Sequence, residues 1–438
     1  MKLWARLGIV GVIVFALLQV VRSSIPEKPA TAELQAPPEV RQVLQQSCYS
    51  CHSDQPRLSW FDHIVPGYWL VRHDILTARR HLNFSTLGNK PAAAQKGALY
   101  EAVNMVQLGA MPLPRFLMLH PGAKVTADEL TTLKAYLAPF TASLPVANPH
   151  SGEETQARVS LTAIAPEFNG LAFDPDFENW KPLSTTDRGD NNTFRFILGN
   201  GVAVKAAQTG NISPWPDGAR FAKVAWQKEV GTDGLLRPGK FVQVELMVKN
   251  AQQYRDNEGW GFGRWRGLDL KPYGKDAGFV NECTGCHRPM QGNDYVYTMP
   301  MTAARATAIE VVNNAAAALP AGMPYQPLSW NAITMYVDPR LRTTATLYGN
   351  PAAMQTVRVR GTYPAAAVLA LVTWAQRGDP HWFGARIPDR PLSVEFVHPG
   401  EAQPGYQRFS ATGPASDEAL MASERTKLIL SLTPASLP

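Results

Sequence analysis

The spacing of apolar positions changes twice along the chain. From Leu7 to Val21 almost every residue is apolar, with Lys2 and Arg6 before the run and Arg22 after it. That is the layout of an export segment, shorter than the ~20 residues of a spanning helix and followed by no small-x-small cleavage site. Two outcomes stay open for residues 1–26: a removed signal peptide or a retained membrane anchor. Either places the remainder beyond the cytoplasmic membrane. Val40, Val43 and Leu44 then recur at helical spacing and lead directly into a cysteine pair. Further on, Thr126 and Glu129 form a capping box that opens a helix through Leu130, Leu133 and Leu137. These signals predict a mostly helical domain over residues 27–150. From about residue 155 the period becomes two. Val242, Val244, Leu246 and Val248 alternate with Gln243 and Glu245, and Phe221, Lys223 and Ala225 share one face of another strand.

The strand region repeats itself. "WPDGARFAKVAWQ" at 215–227 aligns with "YPAAAVLALVTWA" at 363–375, "VEL" at 244 with "VEF" at 394, and "LGN" ending at Asn200 with "YGN" ending at Asn350. The expected organisation is a multi-domain α+β chain: a helical domain, then two antiparallel-β domains over 151–305 and 306–438.

Composition changes the picture little. With 438 residues, 45% hydrophobic and 18% charged, the chain can bury several cores. Its net charge of +6 is spread without a basic run, which makes no case for nucleic acid.

The cysteines carry the chemistry. All four fall into two copies of Cys-x-x-Cys-His: Cys48, Cys51 and His52, then Cys283, Cys286 and His287. Two thiols bond the vinyl groups of a c-type haem and the histidine binds its iron. A thioredoxin-like pair needs no histidine, and zinc sites need more ligands at metal spacing. Two covalently bound c-type haems are therefore expected. For the first, Met111 in "GAMP" is the candidate sixth ligand, with His73 and His120 as rivals, whereas His63 and His81 read as ordinary surface or structural residues. For the second, an open sixth position is expected, because no histidine other than His287 lies between His150 and His381 and Met247, Met290, Met299 and Met301 lack a Gly-x-Met-Pro context.

Two resemblances sharpen this. "WFDHIVPGYWLVRHDILTARRHLNFS", following the first cysteine pair, resembles a haem-binding domain family that couples Cys-x-x-Cys-His to a downstream His, an "NFS" and an "MP…H" segment. "FRFILGN", "WPDGARFAKVAWQKE", "VQVELMVKNAQQY", "WGFGRW" and the late "CTGCH" resemble the cytochrome P-460 and cytochrome c′-beta family over residues ~155–305. The second copy, ~320–438, is similar but has no cysteine, so it resembles a degenerate sister that stands in for a dimer partner. The resemblance implies a c-haem carried on a β-sheet. It implies that Lys223 is joined to the porphyrin edge in a catalytic branch, aligned with Leu371 in the second copy. It further implies that Phe194, Phe196 and Phe221 cap the distal side in a non-catalytic branch, and that a distal carboxylate, Glu245 or Glu229, serves turnover. Two functions follow: an oxidoreductase acting on hydroxylamine or a related nitrogen oxide, with electrons leaving through the haem of His52, or a binder of nitric oxide or another gas. Either working place is the bacterial periplasm, with a periplasmic electron-transfer protein as redox partner.

Overall fold

The computed structural model describes residues 3–138, 161, 164–302, 313–320, 322–359, 361–400, 404–410, 413–414 and 418–438. Two compact units emerge, Met1–Phe140 and Thr141–Pro438. The domain boundaries expected at 150/151 and 305/306 lie outside the described residues.

The first unit is helical: α1 (Leu3–Val20), α2 (Pro38–Ser47), α3 (Tyr49–His52), α4 (Gly67–His81), α5 (Ala92–Gln107), α6 (Pro114–Leu117) and α7 (Ala127–Leu137). Val40, Val43 and Leu44 of α2 are buried, as are Ile75 of α4, Leu99 and Val103 of α5, and Leu133 and Leu137 of α7. Helix α7 starts where the capping box predicts. Glu129 N–H donates to Thr126 Oγ1 at 3.2 Å and Thr126 N–H donates to Glu129 Oε2 at 2.7 Å, a cap that stabilises such a helix by about 1 kcal/mol.

The second unit runs β1 (Lys181–Arg188), β2 (Thr193–Gly199), α8 (Gly201–Thr209), β3 (Arg220–Val230), β4 (Leu236–Lys249), β5 (Trp260–Arg266), β6 (Lys271–Pro272) and α9 (Val280–His287). The same order then returns: β7 (Asn331–Asp338), β8 (Thr343–Gly349), α10 (Pro351–Val359), β9 (Leu369–Gly378), β10 (Ala385–His398), β11 (Gly405–Ser410), β12 (Gly413–Pro414) and α11 (Glu418–Ser431). All twelve described strands belong to one antiparallel sheet. The halves are fused at two seams, Leu236 opposite Val337 and Arg386 opposite Asp187. These two pairs are the same contact seen from either half. Residue i of one copy meets j of the other and j meets i, which is the reciprocity of a two-fold dimer interface. Joining edge to edge satisfies backbone groups that each half alone would leave open.

The short "LGN/YGN" repeat has a structural cause. A Cβ on Gly199 would fall 2.6 Å from Leu183 Cδ1, and one on Gly349 would fall 2.9 Å from Ile333 Cδ1, so any larger residue at the strand end would have to displace that side chain. Asn200 Oδ1 then accepts Ala203 N–H and Asn350 Oδ1 accepts Ala353 N–H, at 3.0 and 2.9 Å. Each asparagine caps its helix and, through Nδ2, also donates to the loop before the next strand.

Strand alternation divides the first half into two faces. One carries Phe194, Phe196, Val224, Trp226, Val244 and Leu246. The other carries Ile197, Phe221, Met247 and Phe262, against which Val280 and Cys283 pack.

Candidate functional site: two Cys-x-x-Cys-His centres

In the helical unit, Cys48 caps α2 and α3 is the single turn that holds Cys51 and His52. His52 N–H donates to Cys48 O at 3.0 Å, so the three residues share one turn. His52 Nδ1 lies 3.0 Å from the Leu82 carbonyl. A carbonyl only accepts, so the proton sits on Nδ1 and Nε2 keeps its lone pair for iron. Burial lowers the His52 pKa, holding the ring neutral, and pushes the Cys48 and Cys51 thiols up to about 12 and about 11. The "NFS" segment fastens this loop: Asn83 Nδ2 donates to Asp54 Oδ1 at 2.9 Å, Asp54 N–H donates to Ser85 Oγ at 2.9 Å, and Phe84 stacks on Tyr49 at 4.9 Å.

The three candidates for a sixth ligand differ. His73 is exposed beside Asp74. His120 has both ring nitrogens engaged, Nδ1 with Phe116 O at 3.2 Å and Nε2 with Asp62 Oδ2 at 3.0 Å. Met111 is half-buried, its N–H bonded to Met105 O at 3.1 Å. His63 and His81 are exposed.

In the sheet unit, α9 carries Cys283, Cys286 and His287 on the face that bears Lys223. Lys223 forms an ion pair with Glu245 directly across β3 and β4, and Arg264 Nε on β5 approaches the same carboxylate at 3.1 Å. The side chains of Lys223, Glu245 and Arg264 keep 28%, 17% and 23% of their exposure, as expected of a recessed but open site. Burial pushes the Lys223 ammonium down to about 8, against the pull of Glu245. Burial raises the Glu245 carboxyl, but Lys223 and Arg264 outweigh it and hold the group at about 2. Burial likewise takes Cys283 up to about 11 and His287 down to about 4. His287 Nδ1 donates to Tyr295 O at 2.7 Å, again leaving Nε2 for iron, and the ring packs against Phe262 at 5.1 Å.

The donor set fits a haem. Each cysteine pair is one turn from a neutral histidine whose outer nitrogen is fixed by a carbonyl. Near the second pair the cations exceed the anions: Lys223, Arg264 and Arg195 surround Glu245, and Arg195 Nε is buried without a hydrogen-bond partner. Burial takes that guanidinium down to about 9. An anionic, flat ligand would relieve both the charge and the missing acceptor.

Not every expected residue joins this site. Phe194 and Phe196 lie on the opposite face, where Phe196 meets Trp226 edge-on at 5.3 Å. The register sets this: Ile197 faces Lys223, so its neighbours at 196 and 198 point away. They are core residues on the face away from Lys223 and the second cysteine pair. Phe221 does share the haem-peptide face, beside Trp215 at 4.8 Å. Glu229 lies opposite Arg237 at the far end of the ladder, away from Glu245. Arg195 and Arg264 were missed; a charged residue inside the apolar run "FRFILG" was the available signal.

Residues 8–139 match the haem-binding domain family and residues 174–298 match the cytochrome P460 family. The chain is a haem protein related to cytochrome P460. No curated protein matches it. The cytochrome P460 match spans β1 to α9 and contains Lys223, Glu245 and the second cysteine pair, whereas the sister half lies beyond it. In that half Leu371 replaces Lys223 between Leu347 and Glu395, so the carboxylate is kept and the amine is lost. Glu395 is buried and held by Arg425 of α11 at 2.7 and 2.6 Å and by the Tyr406 hydroxyl at 2.6 Å. The sister pocket is thus closed by the chain's own helix.

Proposed function

We propose that this is an exported two-haem c-type protein that oxidises hydroxylamine or a related nitrogen oxide at the haem bound by His287 and passes the electrons to the haem bound by His52. The observation that carries this reading is the Lys223–Glu245–Arg264 cluster on the face that receives Cys283 and His287. When bound, the group supplies an iron that accepts substrate nitrogen and electrons. Cys283 and Cys286 would hold it by thioether bonds and His287 Nε2 would orient it. Lys223 Nζ lies at the polar end of the cluster, suited to bond the porphyrin edge. Forming that bond replaces one N–H and one ring C–H and removes an electron pair, so it calls for an oxidant of the peroxide class. It also withdraws the ammonium that holds Glu245 down, which lets that carboxylate accept substrate protons.

Phe221 favours a second reading, in which the same haem only binds nitric oxide or another gas, because an apolar ring on the haem-peptide face suits a small neutral ligand. The absorption spectrum of the reduced protein, with and without hydroxylamine and nitric oxide, separates the two. A strongly red-shifted Soret band that returns to an ordinary c-type band in Lys223→Leu, together with loss of hydroxylamine oxidation, supports turnover. An unmodified band that responds only to nitric oxide supports gas binding. Two low-spin haems indifferent to both ligands would end both readings.

Export and tethering are part of the proposal. No described helix is long and apolar enough to cross a membrane. The end of α1 and the segment after it are nevertheless built into the domain: Gln19 exchanges hydrogen bonds with the Val65 backbone at 3.1 and 2.9 Å, and Tyr68 and Arg72 donate to Ser23 O and Ser24 O. The haem-binding match itself begins at residue 8. This supports retention over cleavage, and the N-terminal mass of the protein from the periplasm decides it.

A further inference from the structure

We propose that the turn between β9 and β10 in the haem-less half is a positioning element for the iron ligand of the haem-bearing half. The proposal rests on the reading of His287 as that ligand. It gives the sister half a task beyond closing the sheet.

The contacts form a chain. His381 is 6% exposed, and its Nδ1–H donates to Tyr297 O at 2.7 Å. Trp382 meets the Tyr297 ring edge-on at 5.6 Å. Tyr297 in turn donates its hydroxyl proton to Cys286 O at 2.7 Å and meets the His287 ring edge-on at 5.3 Å. Two residues before Tyr297 is Tyr295, whose carbonyl accepts the His287 Nδ1 proton. The turn of the sister half therefore grips the segment that sets the hydrogen bond behind the ligand. That hydrogen bond governs how basic the imidazole is and how it is oriented toward iron. Trp382 is itself seated by the other half: Arg188 stacks over its ring at 4.5 Å and Asp190 accepts its indole N–H at 3.2 Å.

Comparison of the two halves argues against simple packing. In the first half the equivalent turn is closed by Val230 opposite Leu236 and spans residues 231–235. In the sister half the closing pair is Gly378 opposite Arg386, so residues 379–385 fill the same role with a longer loop. The longer loop carries "DPHWFG", with the histidine and tryptophan of the grip. The shorter turn offers Leu235 to an apolar cluster containing Tyr336 and Leu347, on the side that has no cysteine. Among the described residues, the polar and aromatic grip is present only on the side that bears His287.

The test uses the full haem-loaded chain with His381→Ala, His381→Asn, Tyr297→Phe and Trp382→Ala, and Leu235→Ala as a packing control. Haem attachment to the Cys283–Cys286 peptide is first verified by mass. The readouts are the iron–histidine stretching frequency of the reduced protein and the carbon monoxide dissociation rate. His381→Ala, Tyr297→Phe and Trp382→Ala are expected to shift the frequency and change the rate about tenfold, the range for loss of a partner behind a metal ligand. His381→Asn, whose amide can still donate to Tyr297 O, is expected to stay near the natural values. Leu235→Ala should lower stability without a spectral shift. Full haem attachment with unchanged frequency and rate in all three variants would overturn the positioning role while leaving the ligand reading intact. A natural protein with no haem on that peptide would overturn the ligand reading, and this proposal with it.

Discussion

Replacing Arg425 with methionine tests whether the sister pocket is closed by its own helix. Glu395 is 1% exposed and receives both oxygens' bonds from the Arg425 guanidinium, Nε to Oε1 at 2.7 Å and Nη2 to Oε2 at 2.6 Å. Methionine keeps the aliphatic volume and removes the charge, so the carboxylate is left buried without its bidentate partner. Breaking such a pair costs about 3–5 kcal/mol. Because 26% of the Arg425 side chain is exposed, water screens part of the interaction, and the lower end, about 3 kcal/mol, is expected. The double variant Glu395→Gln/Arg425→Met removes both charges and should recover most of that loss, since the penalty lies in the uncompensated carboxylate. Urea unfolding followed by circular dichroism gives the values, with an unchanged slope confirming that stability alone has moved. A loss below about 1 kcal/mol in the single variant, or a double variant no more stable than the single, would refute the reasoning.

Three further outcomes follow from the same geometry. Glu167 is buried and accepts backbone N–H groups from Phe168, Arg264, Tyr273 and Gly274 at 2.9–3.2 Å; Glu167→Gln turns one acceptor into a donor facing donors and should cost about 2 kcal/mol by denaturant titration. Asn200→Ala and Asn350→Ala should each cost about 1 kcal/mol or somewhat more in thermal unfolding, because both lose a helix cap as well as the loop bond. In the haem-free protein, where Lys223 keeps its ammonium, Glu245 has its carboxyl held at about 2, below its ordinary 4.5, so it adds stability that is complete above 4.5 and lost as pH falls through 2; the stability difference between the haem-free protein and its Glu245→Gln variant should shrink by about 1.4 kcal/mol per pH unit across that window.

Periodicity within single strands was legible. The pairing of Phe221 with Lys223 on one face, and of Val244 with Leu246 on the other, came directly from alternation. The Thr126 cap was likewise readable because its two partners are three residues apart. Which face of β2 meets Lys223 was not, since the answer depends on the register between strands, and a one-residue slip moves Phe194 and Phe196 to the other side. That the two β copies join in one sheet was not legible, because the two seams pair residues about a hundred and two hundred positions apart, for which local pattern carries no signal. The cluster around Glu245 and the His381–Tyr297 contact escaped for the same reason. The cysteine motifs were readable because each Cys-x-x-Cys-His pattern lies within five consecutive residues.

The central claim is that the chain holds two covalent haems and that the second is held by the sheet half. Proteolysis of the purified protein followed by mass analysis tests it most directly. The account predicts haem mass on the peptide containing Cys48 and Cys51 and on the peptide containing Cys283 and Cys286, the latter still bonded to the Lys223 peptide. Free thiols at Cys283 and Cys286, open to alkylation in the protein as isolated, would contradict it.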